Sequence, residues 1–133
     1  MIVVDSSIWI GLLRGQTTPA MRRFQQIARD ADDRILLGDL ILLEVLQGAR
    51  DEAHAARIER NLRRFPVLAM LDDVIAVQAA RNYRILRSRG ITVRKTIDMV
   101  IGTFCLSAGH SLLHDDRDFD ALVLHLGLRA VTP

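Results

Sequence analysis

The chain has 133 residues, a length that predicts one folded domain over residues 1–133 with its own hydrophobic core. Half of the residues are hydrophobic and 26% are charged, which excludes a disordered chain, and the formal net charge of +2 does not by itself require nucleic acid. No apolar run approaches the roughly 20 residues of a membrane span, and the N-terminal residues do not read as a secretory signal. With Cys105 as the only cysteine, an internal disulfide and a thiolate zinc cluster are excluded, and we expect a cytoplasmic protein.

The first third of the chain predicts alternating strands and helices. Residues 2–5 predict a short strand that ends in an aspartate, and residues 8–13 predict a short helix. A proline at the first helical position and apolar residues at helical spacing predict a second helix over 19–31. Residues 35–38 predict a buried strand, and residues 40–49, apolar nearly all round, predict a buried helix.

The middle of the chain continues the alternation. An amphipathic helix over 52–65 stops before a proline, because the residue before proline disfavours helix. Residues 67–70 predict a third strand, and a long helix then runs from a cap at Asp72 or Asp73 to about Arg89. The side chains of this helix that we expect to face inward are Ala76, Ala79, Ala80, Tyr83 and Leu86.

The last third predicts two further helices and two strands. Thr96 can cap a helix that ends before Gly109, and residues 111–114, 118–126 and 128–131 predict a strand, a short helix and a fifth strand. Strands that alternate with helices indicate an α/β fold, with a mostly parallel sheet covered by helices on both faces.

Four acidic residues lie at the edges of apolar segments, where a carboxylate is rarely found without a partner or a cation. They are Asp5, Glu44, Asp98 and a fourth acid from the cluster at 114–118. Asp115, Asp116 and Asp118 compete for this fourth position. Ligands bind beyond the carboxyl ends of the strands in parallel sheets, so the acids can converge if strands 1 and 4 are neighbours.

Hard oxygen ligands of this kind select Mg²⁺ or Mn²⁺, which keep positions free for water and for a substrate phosphate. A pocket of four carboxylates repels itself until a cation enters, and the cation could then activate water against a phosphodiester. Ser6 and Ser7, next to Asp5, could hold a metal-bound water or a phosphate oxygen, or they could simply cap the following helix.

Each acid also has a purely structural interpretation. Asp5 could cap a helix, Asp98 could complement a helix dipole, and Glu44 could pair with a buried arginine. Asp116 and Asp118 could be turn residues. The combination of all the acids in one chain favours the metal site.

Three segments carry a family resemblance that extends over the whole chain. They read IVVDSSIWI, LILLEVLQGAR and KTIDMVIGTFCLSAGHSLLHDDRDFDAL, and together they resemble the PIN-domain ribonucleases, most closely the VapC-type toxins of bacterial toxin–antitoxin pairs. The resemblance implies a PIN-like three-layer fold with a central, mostly parallel sheet of about five short strands. It also implies cleavage of RNA with Mg²⁺ or Mn²⁺, with tRNA as a candidate substrate, together with a homodimer and inhibition by a cognate VapB-type antitoxin.

The resemblance assigns roles to particular residues. Asp5, Glu44, Asp98 and Asp116 become the catalytic, metal-binding acids, with Asp118 as a further candidate ligand. We expect the RNA backbone to be held by basic side chains, namely Arg94, Lys95 and Arg87. One alternative stays open, which is a non-catalytic PIN-like binding module whose acidic pocket receives the arginine of a partner.

Overall fold

A parallel four-stranded sheet lies at the centre of the structure, a computed structural model that describes all residues from 1 to 133. Its strands are β1 (Ile2–Val4), β2 (Ile35–Gly38), β3 (Val67–Leu68) and β4 (Ser111–Leu113). Their order across the sheet is β3-β2-β1-β4, so the first and last strands of the chain are neighbours. All three strand pairs are parallel, and the carboxyl ends of the strands therefore share one edge.

Seven α-helices flank this sheet, and their bounds lie within a few residues of the predicted ones. They are α1 (Ser6–Leu13), α2 (Pro19–Asp30), α3 (Asp39–Gln47), α4 (Glu52–Leu62), α5 (Asp73–Ser88), α6 (Thr96–Ala108) and α7 (Asp120–Leu126). Short 3-10 turns over Asp32–Arg34 and Arg117–Phe119 precede β2 and α7. None of the helices combines the length and the apolar character that a membrane crossing would need.

Two helices differ in how their first turns are capped. Asp72 caps α5 as predicted, since its carboxylate accepts a hydrogen bond from the Ile75 N–H at 2.8 Å. The predicted Thr96 cap of α6 is wrong, because Lys95 occupies the N-cap position and no side chain caps this helix. The first turn of α6 is therefore open, and it carries Asp98.

The predicted fifth strand is not formed. Residues 128–131 make only one isolated parallel bridge, between Leu112 and Ala130. Within this segment only Leu128 is buried, so side-chain packing does not extend the pairing into a ladder. The sheet consequently has four strands rather than five.

Helix α3 is less buried than its apolar sequence predicted. Only Ile41 and Val45 are buried, whereas the side chain of Leu43 is 49% exposed and Glu44 is half-buried. The reason is that α3 packs against α1, α4 and β2 along part of its circumference and leaves the rest open. A helix that is apolar nearly all round thus presents an uncovered apolar side.

The inward face of α5 was predicted only in part. Ala79 and Leu86 are buried and Tyr83 is half-buried, but Ala76 and Ala80 are exposed. The prediction that Ala76 and Ala80 face the core is wrong, because both line an open groove between α5 and α6.

The sheet order brings two distant parts of the chain to the same place. Val4 at the end of β1 is in register with Leu113 at the end of β4, and the Asp5 N–H donates a hydrogen bond to the Leu113 carbonyl at 2.9 Å. The residues that follow these two strands therefore emerge side by side at one edge of the sheet.

Candidate metal centre

Asp5 lies at the end of β1 and begins α1, so it serves as a cap and as a site residue at once. Its Oδ2 accepts hydrogen bonds from the Ser7 N–H at 3.0 Å and from the Ser7 hydroxyl at 2.6 Å. Ser7 Oγ in turn accepts a hydrogen bond from the Asp115 N–H at 3.1 Å, which ties the end of β1 to the loop after β4. Asp5 is 2% exposed, and its Oδ1 has no hydrogen-bond partner.

Asp98 and Glu44 approach the same place from two helices. Asp98, in the first turn of α6, is 3% exposed, and its Oδ2 accepts no hydrogen bond. Glu44, on α3, accepts a hydrogen bond from the Ser6 hydroxyl at 3.1 Å. The contact of Glu44 is thus with Ser6, rather than with a buried arginine as one of the structural interpretations supposed.

The loop after β4 contributes Asp116 and Asp118. Asp116 Oδ1 accepts a hydrogen bond from the Asp118 N–H at 2.9 Å, and its Oδ2 accepts one from Lys95 Nζ at 3.0 Å. Each of Asp98, Asp116 and Asp118 offers a carboxylate oxygen, and these oxygens lie within 4.8 Å of one another. Of the three candidates for the fourth acid, Asp116 and Asp118 belong to this cluster, and Asp115 and Asp116 line the cavity that the other acids share.

That cavity has a volume of about 360 Å³. Its walls include the four predicted acids and both predicted serines, which are Asp5, Ser6, Ser7, Glu44, Asp98 and Asp116. Lys95, predicted to contact RNA, also lies here. Arg87 lines the separate groove between α5 and α6, and exposed Arg94 is not part of the cavity wall, so their roles stay predictions.

Arg14 and Gln16 line the same cavity and were missed from the sequence. Ser7, Ile10 and Arg14 all line it, and they are spaced at i, i+3 and i+7 on α1 and its C-cap. This spacing places them on one helix face, so helical periodicity counted from Ser7 could have identified Arg14.

Burial and mutual repulsion change the acidity of these groups. Burial raises the pKa of Asp5 and of Glu44, and burial together with the negative charge of Asp5 raises the pKa of Asp98 to about 7. Burial also raises the pKa of Asp116, but hydrogen bonds from the Asp118 N–H and from Lys95 outweigh it, so the pKa of Asp116 lies below its usual value. Without a cation, Asp98 therefore binds its proton more tightly than an exposed aspartate does.

The side chains present fit a divalent cation. Two carboxylates are almost fully buried, and each presents an oxygen that no protein donor satisfies. The side chains that could ligate a metal in this cavity do so through oxygen, because no cysteine or histidine lines it. The nearby His114 Nδ1 accepts a hydrogen bond from the Asp116 N–H at 3.2 Å. Oxygen-only sites of this kind suit hard cations rather than zinc or copper.

The protein is therefore an α/β protein with a parallel sheet, and its acidic residues meet beyond the carboxyl ends of β1 and β4 in an arrangement that fits a divalent cation. The sequence model of the PIN domain matches residues 2–123 of this chain. The chain belongs to the PIN-domain family.

Individual relatives are similar over nearly the full length. Ribonuclease VapC11 of Mycobacterium tuberculosis is 31% identical over 133 residues, which cover 99% of this chain and 98% of the relative. Among solved structures, VapBC2 from Rickettsia felis, bound to a DNA fragment from its promoter, has a TM-score of 0.76 at 12% identity and covers 98% of each chain. A toxin–antitoxin complex from Klebsiella pneumoniae has a TM-score of 0.66 at 19% identity and covers 90% of each chain.

Proposed function

We propose that this protein is a ribonuclease that cleaves RNA phosphodiester bonds with Mg²⁺, or with Mn²⁺ in its place, held by Asp5, Glu44, Asp98 and Asp116. The observation that carries the proposal is the pair of unsatisfied oxygens on Asp5 and Asp98, both almost fully buried and both on the wall of one cavity. A buried carboxylate oxygen without a hydrogen-bond donor is costly, so the retention of two such oxygens in one cavity supports a bound cation. The family and the ribonuclease name of the M. tuberculosis relative support RNA as the substrate.

The acids, the serines and the arginine of the site would have different roles in the reaction. A divalent cation held by the acids would supply positive charge to the scissile phosphate and make an attacking water more acidic. The Ser7 hydroxyl fixes the Asp5 carboxylate, and the Ser6 hydroxyl fixes the Glu44 carboxylate, so both acids are oriented before substrate arrives. Arg14, on the cavity wall, is placed to contact a phosphate of the RNA backbone.

The function is tested by incubating purified protein with total RNA and with tRNA in Mg²⁺, in Mn²⁺ and in EDTA. We expect cleavage in both metals, loss of cleavage in EDTA, and its return when Mg²⁺ is added in excess. Cleavage that continues at the same rate in EDTA would exclude a metal-dependent mechanism.

One observation favours a second candidate function, the non-catalytic binding module. Lys95 Nζ lies 3.0 Å from Asp116 Oδ2 and 4.0 Å from Asp98 Oδ2, so the acids do accommodate a basic side chain. In this alternative a partner's arginine occupies the cavity in the same manner. A binding module would cleave none of the RNAs in any metal, and neutralising Asp98 would weaken the binding of its partner.

We further propose a cognate VapB-type antitoxin as a partner, as the Klebsiella pneumoniae toxin–antitoxin complex suggests by its shared fold. A groove of about 410 Å³ between α1, α2 and α4 offers an apolar surface for it, lined by Trp9, Leu12, Leu13 and Phe24 among others. The side chain of Leu13 is 53% exposed there. A partner helix with an apolar face would cover such a groove, and Leu13→Asp should then weaken copurification of a coexpressed VapB-type antitoxin. Unchanged copurification would place the antitoxin elsewhere.

The groove between α5 and α6 suits a second copy of the chain. It has a volume of about 460 Å³ and is mostly apolar, with Leu71 51% exposed at its edge. We propose a homodimer that covers this groove, and Ala80→Arg should convert it to monomer in light-scattering measurements. A dimer that survives this change would use another face.

We also propose that residues 1–133 act as a single domain in the cytoplasm, in keeping with one core of 27 buried residues and a buried free thiol at Cys105.

Ser7→Ala is expected to weaken Mn²⁺ binding about 10- to 100-fold, the usual effect of removing a group that orients a metal ligand. The change removes the hydroxyl that donates to Asp5 and that accepts from the Asp115 N–H. Isothermal titration of each variant with Mn²⁺ measures the effect, with Ser107→Ala on the exposed part of α6 as the matched control. Equal affinities in the two variants would show that Ser7 is only a helix-start residue.

Arg14→Ala is expected to weaken RNA binding and to reduce the slope of log affinity against log salt by about 1, because one phosphate contact is lost. RNA affinity is measured at several salt concentrations with both proteins also carrying Asp98→Asn, so that the RNA is not cleaved during the measurement. Arg63→Ala is the control, since Arg63 is bound to Glu59 on α4 and does not line the cavity. An unchanged salt slope would remove Arg14 from the RNA surface.

A further inference from the structure

One cation is already present among the acids, and it belongs to the chain itself. Lys95 Nζ lies 3.0 Å from Asp116 Oδ2, 3.9 Å from Asp118 Oδ2 and 4.0 Å from Asp98 Oδ2. These three carboxylates are also the ones whose oxygens lie within 4.8 Å of one another. The ammonium group thus lies next to all three acids at the point where they meet.

Asp5 does not belong to this group of three, although it lines the same cavity. Its Oδ1 is buried without a hydrogen-bond partner, between the end of β1 and the start of α1. The cavity therefore offers two cation positions that share Asp98 and Asp116: an inner one, which also includes Asp5 and Glu44, and an outer one, which also includes Asp118. Mg²⁺ needs only one or two protein carboxylates because it keeps several waters, so the inner acids suffice for one ion.

We propose that Lys95 is a tethered cation that occupies the outer position, so that the protein binds one divalent ion, at the inner position, where other nucleases bind two. The proposal rests on the function proposed above. Lys95 stands three residues before Asp98, and it reaches the outer position from the uncapped start of α6. The Lys95 side chain is 55% exposed, so it reaches the acids from the solvent side and keeps that end of the cavity accessible.

The arrangement has a consequence for the reaction. In sites with two ions about 3.5–4 Å apart, the ions clamp the attacking and the leaving oxygen of the phosphate. Here a fixed ammonium, with three hydrogen-bond donors, takes one of those two places. The dependence of cleavage on metal concentration is then that of a single site, and the outer positive charge is present at any metal concentration.

The test counts bound Mn²⁺ ions, by electron paramagnetic resonance of free Mn²⁺ and by calorimetry, in the metal-free protein and its variants. We expect one ion in the wild type, two in Lys95→Met and one in Lys95→Arg, which keeps the charge. The double variant Lys95→Met/Asp118→Asn should return to one ion, because Asp118 belongs to the outer position only. Unfolding temperatures establish that each variant is folded, which the exposure of Lys95 favours.

The outcomes separate this inference from the proposed function. Two ions in the wild type, or one ion in Lys95→Met even with tighter binding, would overturn the outer-position role of Lys95 and leave a metal-dependent nuclease intact. A tighter single ion would mean that the lysine charge acts only at a distance. No bound ion in the wild type at millimolar Mn²⁺ would overturn both the inference and the metal-dependent function.

Discussion

Asp98→Asn is expected to lower the rate of RNA cleavage about a thousandfold in saturating Mg²⁺. The carboxylate is 3% exposed, and one of its oxygens has no hydrogen-bond partner, so asparagine keeps the shape of the side chain and removes the charge that we propose to bind the cation. A metal ion contributes several kcal/mol of transition-state stabilisation to phosphoryl chemistry. Losing about 4 kcal/mol of it corresponds to about three orders of magnitude in rate.

The rate is measured in single-turnover assays on proteins purified in parallel. Asp73→Asn is the matched control, because Asp73 is also an acidic residue in the first turn of a helix but is exposed on α5. We expect the control to cleave like the wild type. Equal rates in wild type and Asp98→Asn would identify a contaminating ribonuclease, and equal losses in both variants would point to a general effect of helix charge.

The same substitution is expected to stabilise the metal-free protein by roughly 2–4 kcal/mol at pH 8, since each unit of pKa shift corresponds to about 1.4 kcal/mol. Burial and the charge of Asp5 raise the pKa of Asp98 from 3.8 to about 7, so the folded protein holds the ionised form at a cost. Asparagine carries no such charge. The substitution that we expect to reduce activity should therefore increase the free energy of unfolding, which is the reverse of what a structural aspartate would show.

The pH dependence of this gain follows from the direction of the shift. An acid whose folded-state pKa is raised binds its proton more tightly in the folded than in the unfolded chain, so its unfavourable effect is absent below the unfolded value and complete above the folded one. The difference in stability between Asp98→Asn and wild type should be near zero at pH 4 and grow until about pH 7. His110, whose pKa burial lowers, acts equally in both proteins and cancels in the difference.

Urea unfolding in EDTA at pH 4, 6 and 8 measures the gain. A repeat in excess Mg²⁺ should reduce or reverse it, because the cation binds the folded wild type and stabilises it by mass action. A variant that is less stable than wild type in EDTA at pH 8 would contradict the expectation and would make Asp98 a structural residue.

The acidic character of the site could be predicted from the residue types and from their positions in predicted strands and helices. Asp5 and Asp116 follow predicted strands, and Asp98 and Glu44 interrupt apolar helices, so carboxylates in these places required a cation or a partner. Such patterns also determined the seven helices to within a few residues, because the period of apolar side chains reports the geometry of one element at a time.

Where local periodicity was not sufficient, the predictions were wrong. Residues 128–131 have the composition of a strand but pair at a single position, and α3 is apolar nearly all round but is covered on only part of its surface. In both segments the sequence describes what a residue could bury, whereas the neighbouring elements decide how much is buried. The exposed Ala76 and Ala80 of α5 have the same explanation.

By itself, then, the sequence determined the α/β class, the helices, four of the strands and the acids that line one cavity. Only the tertiary structure decided that β1 lies beside β4, and this one adjacency brings Ser7 to Asp115 across 108 positions of chain. It likewise placed Arg14 on the cavity wall and Lys95 among the acids. The physical reason is that capping and periodicity act over a few residues, whereas the neighbours of a strand are chosen by the packing of the whole core.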